Sequence, residues 1–351
     1  MKIALICESM TDLRYFLPLC RTLDRIERDI NVYLYYTSSG KYNAVDRNLE
    51  VFLSILSQGS FSNIRISHIS NLNISRSIFD FLFTVEGINT FNLKPGKENK
   101  PTISDTIKFK KRFCIQHGFD YLNFASSDKE YIVTSKCYSD DLIDRFSCKS
   151  FISEIPISFW DIEDQLSLIE KGFKDKFSEK SVCIFYPEKG YHNEVLDIIN
   201  FLIEKQYNII IKQRKKNQGI PREYLNHQNI FVSFDNLWYP SESIIGPAVT
   251  NFAIGFGTSA YFELAPAGVK YIDVAIPEYS KPFKVINSDQ DVPFNKRGYV
   301  KPELDNFICI TEDYTTSCFR AIENLESQET NVTFENFRSD SYKFLKNLLN
   351  L

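Results

Sequence analysis

At 351 residues the chain is longer than one hydrophobic core comfortably serves, which points to two domains. Hydrophobic residues at 43% and charged residues at 25% are ordinary globular composition and exclude a disordered or fibrous chain. The balance of 41 basic against 45 acidic side chains, net −4, excludes the strong basic excess of a nucleic-acid binder, so no nucleic-acid partner is expected.

The first half alternates strand and helix signals. "KIALIC" is a short apolar run of strand length, and the Glu8 and Asp12 that soon follow argue against a signal peptide. "TDLRYFLPLCRTLDRIER" then places Leu13, Phe16, Leu17, Cys20, Leu23 and Ile26 on one helical face, with Thr11 or Asp12 at its start. "NVYLYYTS" predicts a strand, "AVDRNLEVFLSILSQG" a helix, and "IRISHI" and "SIFDFLFTVEG" two more strands. The second of these is among the most apolar windows in the chain, yet it is about half the length a membrane-spanning helix needs. "RFCIQHG" and "EYIVTSK" are further strand candidates. "EIPISFWDIEDQLSLIEKGFKDKFSEKS" is expected to form one charged helix behind a proline, acting as linker or as the first helix of the second half.

The rhythm then restarts. "SVCIF" predicts a strand, "YHNEVLDIINFLIEKQ" an amphipathic helix, "YNIIIKQRKK" and "NIFVSF" strands, and "YPSESIIGPA" a helical turn. "TNFAIGFGTS", "SAYFELAPAG" and "VKYIDVA" follow as strand, helix and strand, and "FRAIENLE" and "SYKFLKNLLNL" look helical. This βαβ rhythm implies parallel sheets covered by helices: an α/β chain of two doubly wound, Rossmann-like domains. The expected division is 1–158, 159–330, and a C-terminal helix over 331–351 that packs back on the first domain, with contact at a membrane surface as the alternative. Eight cysteines without a C-x-x-C pair, most of them in apolar runs, read as buried free thiols of a reducing cytoplasm.

Ligands in doubly wound sheets bind outside the carboxyl ends of the strands, so candidates are sought there. In "AIGFGTSAYFELAPAGVKYIDV" an apolar strand runs into Gly255, Gly257, Thr258 and Ser259, and a helix follows, closed by Gly268. Small residues let a ligand approach the backbone, and unpaired N–H groups at a helix start suit a phosphate. Glu263 lies one turn after Ser259 and suits the hydroxyls of a ribose. The plain alternative is a helix cap and a solvated glutamate. In "IIIKQRKK" Lys212, Arg214, Lys215 and Lys216 follow a strand and offer countercharge to a nucleotide phosphate, or form a solvated basic loop.

His117, one of only four histidines, ends the strand "RFCIQ" beside Gly118. A general base needs a pKa near neutrality, which histidine has; the alternative is a structural histidine. Asp120 is placed to orient that ring, and Glu86 offers a carboxylate at another strand end. Glu8, Ser9 and Met10 follow the first strand and are expected to touch an acceptor. Ser241, in "YPSES", is expected near a nucleobase. His68, His192 and His227 have no metal-ligand spacing, and neither metal nor cofactor is expected.

"IQHGFDY", "YIVTSKCYSDDL", "IIIKQRKK" and "GFGTSAYFELAPAGVKYIDV" together resemble GT-B glycosyltransferases, specifically the CDP-glycerol glycerophosphotransferase-like and CMP-sugar (sialic acid, Kdo) transferases of bacterial surface polysaccharide synthesis. The resemblance implies two Rossmann-like domains facing a central cleft, metal-independent direct displacement, and closure that excludes water. The implied acceptor-activating base is His117. The implied donor site is Lys212, Arg214, Ser241, Gly257, Thr258, Ser259 and Glu263, for a CMP-sugar, a CDP-alditol or a UDP-sugar. The implied acceptor is a glycan or lipid-linked oligosaccharide of capsule or lipopolysaccharide, and the implied location is the cytoplasm, at the inner face of the membrane. The chain departs from the family's Lys-x-His-Pro element, where Gln213 and Arg214 stand instead. UDP-N-acetylglucosamine 2-epimerases share the layout, with some similarity around Glu263 to Gly268, and a non-catalytic nucleotide- or glycan-binding protein is the further alternative.

Overall fold

The computed structural model describes residues 1–7, 12–26, 29–36, 63–68, 71–72, 77–85, 107–116, 129–134, 136–187, 191–213, 219–233, 242–258, 260–274, 283–284, 291–292, 305–326 and 334–351. The chain divides into two compact units, Met1–Asp161 with Asn336–Leu351, and Ile162–Glu335. Among the described residues no helix is long and apolar enough to cross a membrane.

The first unit is built on seven parallel strands: β1 (Lys2–Cys7), β2 (Asn31–Tyr36), β3 (Ile64–His68), β4 (Ile78–Val85), β5 (Lys108–Ile115), β6 (Glu130–Val133) and β7 (Lys149–Ile152). Their spatial order is β3-β2-β1-β4-β5-β6-β7. Strand order therefore reverses between β1 and β4, which pair in register from Ile3 against Phe81. The central β1 is buried from Ile3 to Cys7, as a strand covered on both faces must be. Helix α1 (Leu13–Ile26) buries Leu13, Phe16, Leu17, Cys20 and Leu23 of its predicted face, while Ile26 is only half-buried and Tyr15, Pro18, Leu19 and Thr22 off that face are buried too. Helix α2 (Lys136–Phe146) joins β6 to β7.

The expected single helix within 154–181 is instead three short pieces: a 3₁₀ turn at Ile157–Phe159, α3 (Ile162–Ser167) and α4 (Lys171–Ser178). Pro156, with φ −56° and ψ 137°, holds an extended backbone at its start. Ile157, Ser158, Phe159, Trp160, Asp161 and Ile162 are all buried, a run no one-sided amphipathic helix can accommodate. Trp160 donates from Nε1 to the Ile155 carbonyl at 3.1 Å. It packs edge-on against Phe344, and Phe159 against Phe337, of α10 (Phe337–Leu349; α5 to α9 are placed below). Asp161, 1% exposed, is ion-paired to Arg21 of α1. The short edge strands Lys149–Ile152 and Phe307–Ile310 are only partly buried and went unrecognised in the sequence pattern.

The second unit repeats the plan. Strands β8 (Ser181–Phe185), β9 (Asn208–Lys212), β10 (Ile230–Ser233), β11 (Phe252–Gly255), β12 (Tyr271–Val274) and β15 (Phe307–Ile310) form one parallel sheet in the order β10-β9-β8-β11-β12-β15. A two-residue pair, β13 (Phe283–Lys284) and β14 (Asp291–Val292), is antiparallel. The helices are α5 (His192–Glu204), α6 (Arg222–Leu225), α7 (Glu242–Val249), α8 (Tyr261–Leu264) and α9 (Tyr314–Glu326). One sheet face carries Val182, Ile184, Ile209, Ile211, Ile254 and Ile272 into a core with α5 and α9. Cys318 of α9 is buried there, and burial pushes its thiol up to about 12, which keeps it neutral and inert. On the opposite face α7 sits flush because Gly246 has no side chain: a Cβ there would meet Cys183 Sγ at 2.9 Å.

Removing one partner of a buried ion pair leaves the other charge uncompensated. Asp161→Ala is therefore expected to destabilise the first unit by about 3–5 kcal/mol, with Asp161→Asn costing less, measured as the shift in urea unfolding midpoint.

Candidate functional site

In each sheet the strand order reverses once, at β1/β4 and at β8/β11. Helices leave such a point to opposite faces, so the carboxyl ends of the flanking strands stay uncovered and form the crevice where ligands bind.

In the second unit Lys212 is the last residue of β9, paired across to Phe185 of β8 and Ser233 of β10. It is half-buried. Cys183 lies on the same face, near enough for the Lys212 charge to oppose the upward pull of burial on its thiol. Gln213 is 6% exposed, and its backbone N–H donates to the Ser233 carbonyl at 3.1 Å.

The turn after β11 is set by packing inside the protein. A Cβ on Gly255 would lie 1.8 Å from the Tyr271 hydroxyl and 2.5 Å from Thr258 Cγ2. Tyr271 pairs with Ala253, and its fully buried side chain leans two residues along the sheet to fill the space over Gly255. Its ring stacks on Phe307 with centroids 6.2 Å apart. The space that small residues seemed to reserve for a ligand at Gly255 is thus occupied by the protein's own tyrosine. Gly257 has φ +59°, a left-handed backbone that a side chain would strain. Thr258 Oγ1 accepts the Ala260 N–H at 3.2 Å, so this hydroxyl closes the turn and retains its own proton to donate.

Helix α8, expected to run to Gly268, is a single turn of four residues. Pro266 has no N–H to continue the ladder, and Gly268, at φ +87°, returns the chain through a Val269 N–H to Leu264 carbonyl bond of 3.0 Å. Its macrodipole is correspondingly small. Glu263 is 4% exposed, which rules out a merely solvated glutamate. Asp273, 1% exposed, stands in register with Gly255 and adds a second buried carboxylate that the sequence pattern did not flag.

In the first unit the described chain reaches the strand ends but not the candidates beyond them. Glu8, Ser9, Met10, Glu86, His117, Asp120, Arg214, Ser241 and Ser259 lie outside the described residues. Gln116, immediately before His117, is described. Its backbone N–H donates to the Ile132 carbonyl at 3.1 Å, and its Oε1 accepts the Thr134 N–H at 3.2 Å. It thereby ties the carboxyl end of β5 to that of β6. Among the described residues no group of three or more His, Cys, Asp or Glu side chains could hold a metal ion.

Two parallel sheets with this strand order match solved structures over nearly the whole chain. A putative UDP-N-acetylglucosamine 2-epimerase from Listeria monocytogenes aligns with TM-score 0.59 at 10% identity, covering 99% of this chain and 94% of that one. UGT89C1 of Arabidopsis thaliana, solved with UDP, aligns with TM-score 0.59 at 10% identity, covering 99% and 98%. UGT71G1 of Medicago truncatula, solved with UDP-glucose, aligns with TM-score 0.56 at 8% identity, covering 99% and 97%. The fold is GT-B. No family model matches the chain, and no curated protein matches it in sequence. At these identities the GT-B likeness establishes architecture alone.

Gly255 is a sharp test of the packing beneath the site. Gly255→Ala is expected to destabilise the protein by about 1–3 kcal/mol. Adding Tyr271→Phe removes the closest clash and leaves Thr258 Cγ2 at 2.5 Å and the ring carbon at 2.8 Å, so it is expected to restore only part of that loss in urea unfolding.

Proposed function

We propose that this GT-B protein is a glycosyltransferase that moves a sugar or alditol phosphate from a pyrimidine-nucleotide donor, CMP- or CDP-linked, to a hydroxyl of a bacterial surface-glycan acceptor. The observation that carries this reading is the carboxyl edge of the second sheet. It carries a cation, Lys212, at the end of β9 and a turn hydroxyl, Thr258, after β11, on either side of β8, in a fold shared with proteins solved with UDP and UDP-glucose, and Glu263 is buried in the turn of helix that follows Thr258. In this reading Lys212, Arg214, Gly257, Thr258 and Ser259 hold the donor phosphate, Glu263 takes the ribose hydroxyls, and Ser241 meets the base. Glu8, Ser9 and Met10 hold the acceptor, a glycan or lipid-linked oligosaccharide. His117, oriented by Asp120, takes the acceptor proton as it attacks, Glu86 is a further candidate carboxylate, and the cationic strand ends stabilise the departing phosphate. The donor is the only small molecule required, and the enzyme works in the cytoplasm at the inner membrane face.

A second reading, a UDP-N-acetylglucosamine 2-epimerase-like enzyme, is favoured by the names of two matching structures. These are the Listeria protein and one from Rickettsia bellii, which aligns with TM-score 0.56 at 12% identity over 99% of this chain. Epimerisation consumes no acceptor. Interconversion of UDP-N-acetylglucosamine by the protein alone decides for that reading and against transfer.

The direct test is thermal unfolding with CMP, CDP, UDP, GDP and ADP. A ligand that binds only the native state at about 100 times its Kd adds about 2.7 kcal/mol, a shift of several degrees. One pyrimidine nucleotide is expected to give that shift and Ser259→Ala to lose it. With donor and acceptor in hand, His117→Ala is expected to lower turnover about 10²- to 10⁴-fold. Unchanged turnover in that variant would remove His117 from the chemistry.

A further inference from the structure

The second unit has a recess at the edge opposite the strand ends considered so far. A cavity of about 280 Å³ lies by the amino ends of β8, β11 and β12, and every residue that lines it belongs to the second unit. Its walls are apolar: Leu166 of α3, Phe177 of α4, Pro247 and Val249 at the end of α7, Val269 and Phe334. Two nitrogen donors interrupt this lining. Lys174 of α4 is half-buried, and its Nζ donates to the Leu166 carbonyl at 3.2 Å. Among the described residues it pairs with no carboxylate, Glu170 one turn before it included. An ammonium carries three N–H groups, so closing the last turn of α3 leaves two unused. Asn251, in the turn between α7 and β11, is also half-buried. Its Oδ1 accepts the Ser181 N–H at 2.7 Å, which fixes the amide and leaves Nδ2 with no partner among the described residues. The described lining contains no Asp or Glu.

Apolar walls with a few converging polar groups are the form of a small-ligand site. Here both polar groups donate and one is a cation, so together they select an acceptor that carries negative charge. We infer that this cavity binds a small carboxylate with an apolar body, its oxygens meeting Lys174 and Asn251 and its body lying against Phe177, Val269 and Phe334. The volume is just below the roughly 300–1,000 Å³ of drug-sized ligand sites, which suits a body of one ring or a short chain. Ser178, exposed and one turn after Lys174 on the same helix face, marks the entrance. The site does not rest on the nucleotide reading. The four residues of β11, at about 3.3 Å each, set Asn251 about 13 Å from the turn at the other end of that strand. An occupant here is therefore a second ligand, bound on the far edge of the sheet from the carboxyl-end crevice.

The test is titration calorimetry on the full chain with phenylpropionate, phenylpropanol and phenylpropylamine, three probes that share one body and differ in the head. Phenylpropionate is expected to bind the native protein with a Kd of about 1 mM or tighter. It is expected to bind at least tenfold more tightly than the alcohol, with the amine weakest. Lys174→Met keeps the aliphatic stem and removes the charge. Asn251→Asp keeps the acceptor for Ser181 and removes the amide donor. Each is expected to bring the acid down to the affinity of the alcohol, while the alcohol holds within about twofold and so reports an intact cavity. Ala248→Leu, which fills the same cavity from α7, is expected to weaken acid and alcohol alike. Three outcomes overturn the site: no binding of the acid to the native protein, equal affinity for acid and alcohol, or an acid preference that survives in both Lys174→Met and Asn251→Asp. Full affinity for the acid in Ala248→Leu places the binding elsewhere and overturns it as well.

Discussion

The single reversal of strand order in each parallel sheet is the constraint on which the rest depends. A parallel pair must be joined by a crossover, and crossovers are right-handed, so a chain that builds outward from β8 in both directions must send its helices to opposite faces. In the second unit α5 covers one face, where Ile184 and Ile254 are buried, and α7 returns over the other. Where the two directions part, between β8 and β11, neither helix caps the strand ends. The open edge follows from handedness and pairing before any functional side chain is placed.

The two faces of that sheet are then used differently. The α5 and α9 face is filled by Val, Ile, Leu and Tyr side chains and contributes rigidity through apolar burial at about 25 cal/mol per Å². The α7 face mixes small and polar residues, Cys183, Gly255, Ser233, Lys212 and Asp273, with the bulkier Ile210, Phe185 and Tyr271. Close packing there is achieved by omission. Gly246 lets the helix touch Cys183, and Gly255 lets Tyr271 lie across the strand end.

This division explains what was legible in the sequence. Strands such as "KIALIC" and "NIIIK" stand out as apolar runs bounded by polar residues, and the alternation with helices is enough to announce parallel sheets. Lys212 stands out because a basic run is conspicuous in a mildly acidic chain. Which face a residue occupies is not legible. β10 is a partly buried edge strand with no clean alternation, so the face that Ser233 in "NIFVSF" takes is fixed only by its register with Lys212. The role of Gly255 was misjudged for a related reason. Its partner, Tyr271, lies sixteen residues on and one strand away, and a glycine that admits a tyrosine has the same local sequence as one that admits a ligand. The length of α8 was overestimated because Tyr261 to Ala265 suit a helix, and the effect of Pro266 is felt in the turn before it.

The shortness of α8 also changes how charge must be recognised. A one-turn helix offers directed N–H groups but little accumulated dipole, so the turn at Gly257 and Thr258 contributes geometry more than field. The positive charge stands two strands away, at Lys212, the last residue of β9. Shape and charge are therefore presented at separate strand ends, one on each side of β8. On the reading proposed above, a ligand that meets both is extended along the carboxyl edge of the sheet with its negative charge toward β9. That polarity follows from the order of the strands.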